Sequence, residues 1–325
     1  MIRAFVVENE RLRAVDDFQA AAQQIVWADL LAPTDEETAL VEGWLGCDIP
    51  SREEMEEIEV SSRLYVEDGA YFMTATLPAN TDIDRAEMAP VTFVLSGSRL
   101  ATIRYHEPRA FQTFPQHAEK VAIGCTSADT ILLGLLEAIV DRLADVLERA
   151  GRDIMELARG IFHPAEKKNA SKRDRDFQLI LRRIGRKEEL VSNIQGSLLT
   201  LERLAGFLGG ATLQIKSDKV VRARVKTLAR DVNSLSDHAG FLSQKITFLL
   251  DATLGMINIE QSAIIKIFSV VAVIFLPPTL VASVYGMNFQ IMPELHWDIG
   301  YPFAIILMIA SAVLPFLYFK RRGWL

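Results

Sequence analysis

Two uncharged apolar runs lie close together near the C-terminus, and they restrict the fold more than any other feature of the chain. No charged residue occurs from Ile267 to Pro293. The core of that run, Ile267–Tyr285, has about the length that crosses ~30 Å of hydrocarbon at ~1.5 Å per helical residue. Tyr301–Phe319 is a second run of the same kind. A backbone in lipid has to satisfy its own hydrogen bonds, so both runs are predicted to be helices. The short link between them makes a hairpin with both ends on one side. Lys266 before the first run, and Lys320, Arg321 and Arg322 after the second, mark that side as cytoplasmic. Tyr285, Trp297, Tyr301, Tyr318 and Trp324 fall near the interfaces, where aromatic residues gather.

The rest of the chain is of another character. Half of the 325 residues are hydrophobic but 24% are charged, so a large soluble part accompanies a small membrane part. A net charge of −7 gives no ground for a nucleic-acid partner. Cys47 and Cys125 are far apart, which suggests a reducing compartment and neither a disulfide framework nor a zinc site. The N-terminus has no apolar signal region, so the first part is expected in the cytosol.

Residues 1–127 read as mixed α and β. IRAFVV, IVWADL, RLYVED, AYFMTATL, VTFVLSG and RLATIRYH are strand-like. Thr34–Cys47 is predicted helical, as is Ser51–Val60, where Ser51 and Glu54 are spaced as a capping box. The acids of SREEMEEIEV read as a solvated face in preference to a metal site. From Ser127 an apolar stripe at steps of three and four predicts a helix to about Phe162. HPAEKKNASKRDRD is a polar connection, or partly a helix start. A second helix is expected over 177–208, broken by Gly209-Gly210, and a third from Asp218 to Phe289, interrupted only by Pro277-Pro278. The organisation expected is a cytosolic α/β domain (1–127), cytosolic long helices (128–217), a stalk helix (218–266), a first span (267–289), a periplasmic loop (290–300), a second span (301–319) and a basic tail (320–325). In fold class this is an α+β cytosolic domain with a long helical stalk and a C-terminal two-helix transmembrane hairpin.

The first span carries a stripe of small, polar and apolar residues: Ser262, Ile265, Phe268 or Ser269, Ala272, Leu276, Thr279 and Ser283. Such a stripe serves tight helix packing or lines a pore. Pro277 and Pro278 leave the carbonyls of Val273 and Ile274 without helical partners, and a water-filled lumen would satisfy them. One hairpin cannot enclose a lumen, so a pore requires several copies. Asn288 reads either as a helix cap or as an acceptor for water bound to a cation. Glu294 and Asp298, with no Lys or Arg nearby, would raise the local cation concentration. Asp231 and Asp237 on the long helix read as solvated residues or as ligands of an ion bridging subunits. The five histidines are scattered without metalloprotease spacing, and no phosphate-binding loop motif occurs, which argues against an enzyme.

YGMNFQIMPEL, the GYP that follows, and YFKRRGWL resemble the CorA family of magnesium transporters. INIEQSAIIKIF and FLPPTLVASVYGMNF are similar to its enterobacterial branch. The resemblance is strong over about 255–325 and weaker elsewhere. It implies a homopentamer in the bacterial inner membrane, with both termini cytoplasmic, the first span lining a pore and the N-terminal part forming a cytosolic funnel. It implies passive, potential-driven uptake of Mg²⁺, with Co²⁺ and Ni²⁺, closed by intracellular Mg²⁺. Mg²⁺ is then substrate and regulatory ligand, with no cofactor, and the partners are other copies, the lipid bilayer and hydrated divalent cations. Carried over, Gly286, Met287 and Asn288 form the outer mouth. Leu276 and Thr279 line the pore with Ser283 and Ala272, and Phe268 falls at an apolar constriction. Ser262 departs from the Asn common at that position. Two alternatives stand beside this reading: a zinc-transporting relative, suggested by His296, and a membrane-anchored sensor or scaffold without transport.

Overall fold

The structure is a computed structural model. It describes the backbone of residues 1–82, 86–122, 124–162, 170–214, 219–288, 292 and 297–324, and their side chains except 170–176 and 212–214. The chain divides into two compact units, 1–169 with 178–250, and 170–177 with 251–325.

The first unit is built on seven strands: β1 (Ile2–Glu8), β2 (Arg11–Val15), β3 (Ile25–Leu31), β4 (Leu64–Glu67), β5 (Ala70–Ala79), β6 (Glu87–Ser96) and β7 (Arg99–Arg104). They form one sheet in the order β2-β1-β3-β7-β6-β5-β4. Only β3 and β7 pair in parallel, at its centre. The six expected strands are all present. β2 was not expected: it pairs with β1 through a turn at Asn9 and Glu10, both at positive φ, and Glu is not the glycine that normally marks such a turn. The Asp68-Gly69 turn between β4 and β5 carries the ordinary signal, with φ of 50° and 78°.

Short helices cover the sheet. They are α1 (Phe18–Ala21), α2 (Asp35–Leu45), α3 (Arg52–Glu56), α4 (Val60–Arg63) and α5 (Ala110–Lys120). The expected capping box of Ser51 with Glu54 forms, and a second one, Thr34 with Glu37, opens α2. The helix expected over 51–60 is shorter than predicted. It stops at Glu56, Glu57 is extended, and a separate turn of helix begins at Val60. Glu53, Glu56 and Glu57 stand three and four apart, where like charges oppose helix propagation.

One face of the sheet packs Val41, Trp44, Leu45 and Met55 from α2 and α3 against Ala28, Leu30, Phe72 and Ile103. The other holds a buried polar network. Asp29 and Arg104, both 0% exposed, pair through two hydrogen bonds of 3.0 and 2.9 Å. Asp29 also accepts from Thr102 (2.9 Å) and Arg3 (2.7 Å), and Thr102 accepts from the Trp27 indole. Arg104 donates its remaining guanidinium nitrogen to the His106 carbonyl and lies over the Phe111 ring.

Long helices follow: α6 (Ala128–Phe162), α7 (Ala170–Gln214) and α8 (Lys219–Tyr285), with α9 (Gly300–Arg321) last. α6 starts and ends where its stripe predicts. Gly209-Gly210, expected to break the second helix, does not: α7 continues to Gln214. Each glycine costs a helix about 1 kcal/mol, and packing offsets it here. Leu204, Ala205, Leu208 and Ala211 are buried, and the space a Cβ would fill at Gly209 lies 3.8 Å from Val225 of α8.

The Asp29–Arg104 pair yields a stability prediction. Asp29→Ala leaves a fully buried guanidinium without its carboxylate and should cost about 3–5 kcal/mol. Urea denaturation of the detergent-solubilised full chain measures it; a loss under 1 kcal/mol would mean that the pair is dispensable.

Candidate functional site

The second unit holds the membrane-type helices. The α8 window has mean hydropathy 2.3 and α9 has 2.2, with only 6% and 0% of those windows buried. A core helix of a soluble protein is mostly buried, so these are apolar helices without a protein core around them. Their basic ends meet: Lys266 Nζ sits 5.9 Å from the centre of the Trp324 ring, which stacks on Phe319. The start of the first span therefore lies beside the end of the second, as a hairpin requires.

Each helix has one covered stripe. On α8 it runs Val270, Ile274, Pro277, Pro278, Val281 and Tyr285, with Val270 only 1% exposed. On α9 it includes Ala304, Met308, Ser311, Ala312, Pro315 and Phe319. Small residues let helix backbones approach in lipid. At about 100° per residue, the stripe of Phe268, Ala272, Leu276, Thr279 and Ser283 lies on the opposite side of α8. All five are exposed, Phe268 at 71% and Leu276 at 66%. Ser262 is exposed as well, nearer the edge of that stripe.

This arrangement corrects one expectation. Pro277, Pro278 and Ile274 stand on the covered side, so the Ile274 carbonyl gives no argument for a lumen, whereas Val273 is 43% exposed. Helix α8 runs through them without a break. The open stripe keeps its case on different chemistry. Thr279 donates its hydroxyl proton to the Phe275 carbonyl at 2.7 Å. Its oxygen lone pairs are left as acceptors, the polarity that water around a cation needs.

Helix α8 ends at Tyr285, and Gly286 closes the last turn by donating to the Ala282 carbonyl at 2.9 Å. A Cβ at Gly286 would come within 3.1 Å of that oxygen, which favours glycine here. Met287 donates to Val284, and Asn288 follows, exposed and outside the helix. The backbone of Asn288 is not at positive φ, the geometry in which an Asn closes a helix as a left-handed cap. Asp298 is exposed. Glu294 and His296 lie outside the described residues.

In the first unit Asp231 and Asp237 are exposed on α8. Asp231 contributes to a field of acids with Glu137 and Asp145 on α6. Burial first, then those neighbours, push the Asp141 carboxyl above the ordinary range. Among the described residues no group of three or more His, Cys, Asp or Glu is placed to hold a metal ion. Cys47 and Cys125 are free, and burial raises the Cys125 thiol to about 11.

The family model for the CorA-like Mg²⁺ transporter protein matches residues 22–321. The chain belongs to the CorA family. It is 38% identical to the magnesium transport protein CorA of Haemophilus influenzae strain Rd over 325 residues, 100% of each chain. Identity to the Escherichia coli K12 protein of that name is also 38%, again with 100% of both chains covered. Among solved structures, the complete CorA magnesium transporter of Methanocaldococcus jannaschii matches with a TM-score of 0.78 over 100% of this chain and 99% of that one, at 19% identity. That likeness establishes the fold: an α/β domain, long helices and two C-terminal apolar helices. The relatives are transport proteins, and this CorA-family chain is a membrane transporter and not an enzyme.

The covered stripe, which sequence reasoning missed, is testable. Val270→Trp adds volume where none is free and should destabilise the hairpin by about 1–3 kcal/mol. Val271→Trp, at a position 46% exposed, should have a smaller effect in a thermal unfolding series in detergent.

Proposed function

We propose that this chain mediates passive uptake of Mg²⁺, with Co²⁺ and Ni²⁺ as further substrates, down the membrane potential of a bacterial inner membrane. The observation that carries the reading is the position of GMN, at the end of an apolar helix whose open stripe faces away from its hairpin partner. The magnesium transport proteins 38% identical over the whole chain support it. Several copies, five by family resemblance, place their α8 stripes around one axis, with α9 outside and both termini cytoplasmic.

Mg²⁺ is small, holds six waters in near-octahedral geometry and releases them reluctantly. A ring of neutral acceptors binds such an ion through its waters and avoids most of the dehydration cost. Asn288 supplies a carboxamide oxygen at the outer mouth, with Gly286 and Met287 shaping the turn that presents it. Further in, Ser283, Thr279, Ala272 and Leu276 line the path. Thr279, its proton already committed to Phe275, receives hydrogen bonds from hydration water. Phe268 forms an apolar constriction, and Ser262 offers a hydroxyl at the inner mouth. Asp298, with Glu294, draws cations to the entrance. Binding must be weak enough for release, which neutral acceptors ensure.

Closure by intracellular Mg²⁺ needs a site that binds the closed state better. No complete ligand set stands within one chain among the described residues. Asp231 and Asp237 therefore act, in this reading, with carboxylates of a neighbouring copy. Magnesium is preferred to zinc because the full-length relatives are named for magnesium. An anchored sensor without flux is the outcome that the transport assay excludes.

Asn288→Ala should abolish Mg²⁺ flux into proteoliposomes while the oligomer still elutes at its normal size; normal flux would sink the assignment. Cysteines at Thr279 and Ser283 should react with a charged, water-borne thiol reagent and block flux, whereas one at Val270 should be protected. Equal labelling at all three would contradict the pore-facing stripe.

A further inference from the structure

A group of charges in the first unit has no part in the pore. The turn after β5 places Asp82 against three arginines. Arg109 donates to its Oδ2 at 2.7 Å, and Arg142 and Arg149 donate to Oδ1 at 2.8 and 2.5 Å. Arg142 also reaches the Thr81 hydroxyl at 3.0 Å. Arg142 and Arg149 stand seven residues apart on α6, two turns along one face, so both point at one spot. Hydrogen bonds from Arg149 and Arg142 hold the Asp82 carboxyl far below the ordinary carboxylate range.

One carboxylate does not balance three guanidinium groups. Nor does it use all their donors: Arg142 Nε and an Arg149 Nη are buried and have no partner. A buried N–H without an acceptor is costly, and in native proteins such a group usually marks a bound water or ion. Of the nearby acids, Asp153 is paired with Lys187 at 2.5 Å, Glu107 accepts from Gln112 at 3.1 Å at the edge of the Arg109 and Arg142 recess, and Glu189 borders the Arg149 recess together with Arg186; none of them is hydrogen-bonded to the three arginines among the described contacts. There is room for a ligand. Thr81 and Asp82 form a wall shared by two recesses, one of about 140 Å³ bounded by Arg149 and Asn193, the other of about 330 Å³ bounded by Arg109 and Arg142. A guanidinium fork matches the oxygens of a phosphate as it matches a carboxylate.

We propose that Arg109, Arg142 and Arg149, with the Thr81 hydroxyl, form a binding site for a phosphate-type oxyanion beside Asp82. The ligand is free phosphate or the phosphoryl group of a nucleotide. The two idle donors are enclosed in this structure, so binding turns the Arg142 and Arg149 side chains to bring them to the ligand, and Asp82 holds the arginines in place while competing with it for them. The site gives the soluble unit a means of sensing an anion separate from any cation it senses.

The test uses the full-length protein in detergent, with EDTA present and ionic strength held constant with sodium chloride. Inorganic phosphate and AMP are titrated separately by calorimetry and by thermal unfolding. Wild type should bind one phosphate per chain and gain thermal stability saturably. Arg149→Gln should weaken binding at least tenfold. Asp82→Asn supplies the decisive contrast. It should lower the melting temperature without phosphate, because the clamp is lost, yet bind phosphate more tightly and recover stability as phosphate is added. Tighter binding of AMP than of phosphate identifies a nucleotide as the source, and equal or weaker binding identifies free phosphate. A cluster that only fastens the turn after β5 predicts loss of stability in Asp82→Asn with no recovery, and that result overturns the proposal. Binding by Asp82→Asn alone also overturns it, since Asp82 would then fill the site in the native protein.

Discussion

Hydrocarbon offers a peptide group no hydrogen-bond partner, and the membrane unit follows from that constraint. A chain entering it has to stay helical, and α8 does so through two consecutive prolines. Between apolar helices in lipid there is no hydrophobic drive, so contact depends on close fit. The covered stripes, with Ala304, Ser311 and Ala312 on α9 and Val270, Ile274 and Val281 on α8, are the faces available for it. The opposite side of α8 is then free for a different environment. Thr279 suits that side because its proton is already used within the helix. At Tyr285 the helical constraint lapses, and Gly286, Met287 and Asn288 are presented beyond the last full turn.

The soluble unit meets the opposite problem, since it buries charge inside a sheet. Asp29 and Arg104 are fully enclosed at the one parallel pairing, and every oxygen of Asp29 is hydrogen-bonded. Such a pair adds little net stability over an apolar core of the same shape, but losing one member is severe. It joins β3, β7 and, through Arg3, β1 in a single arrangement. The Asp82 cluster is of another kind. It lies at the surface of the same unit, its charges are unequal, and two donors are left over.

Where local chemistry alone decides structure, the sequence was legible. Thr34 with Glu37 and Ser51 with Glu54 announce helix starts because a side chain three residues on can reach back to the cap. The stripe from Ile131 to Leu147 gives α6 its face and extent. The failures arose where a distant contact outweighed a local signal. Gly209-Gly210 stays helical because α7 packs closely on Val225. β2 forms because β1 offers an edge, although its turn lacks glycine. SREEMEEIEV is the exception with a local cause: its acids repel once aligned on one helix. The prolines looked like evidence for water, and they proved to face the covered side.

The sequence by itself determined the hairpin, its length, the GMN turn and the family, because apolar run length and a contiguous motif need no knowledge of neighbours. Only the tertiary structure decided which side of α8 is covered and which is open. The repeat of about 100° per residue fixes the faces relative to each other, not which of them meets α9. It also decided that Asp82, Arg109, Arg142 and Arg149 come together. They are scattered over 68 positions of chain, and no periodicity connects a strand-end turn with the face of a helix four elements later.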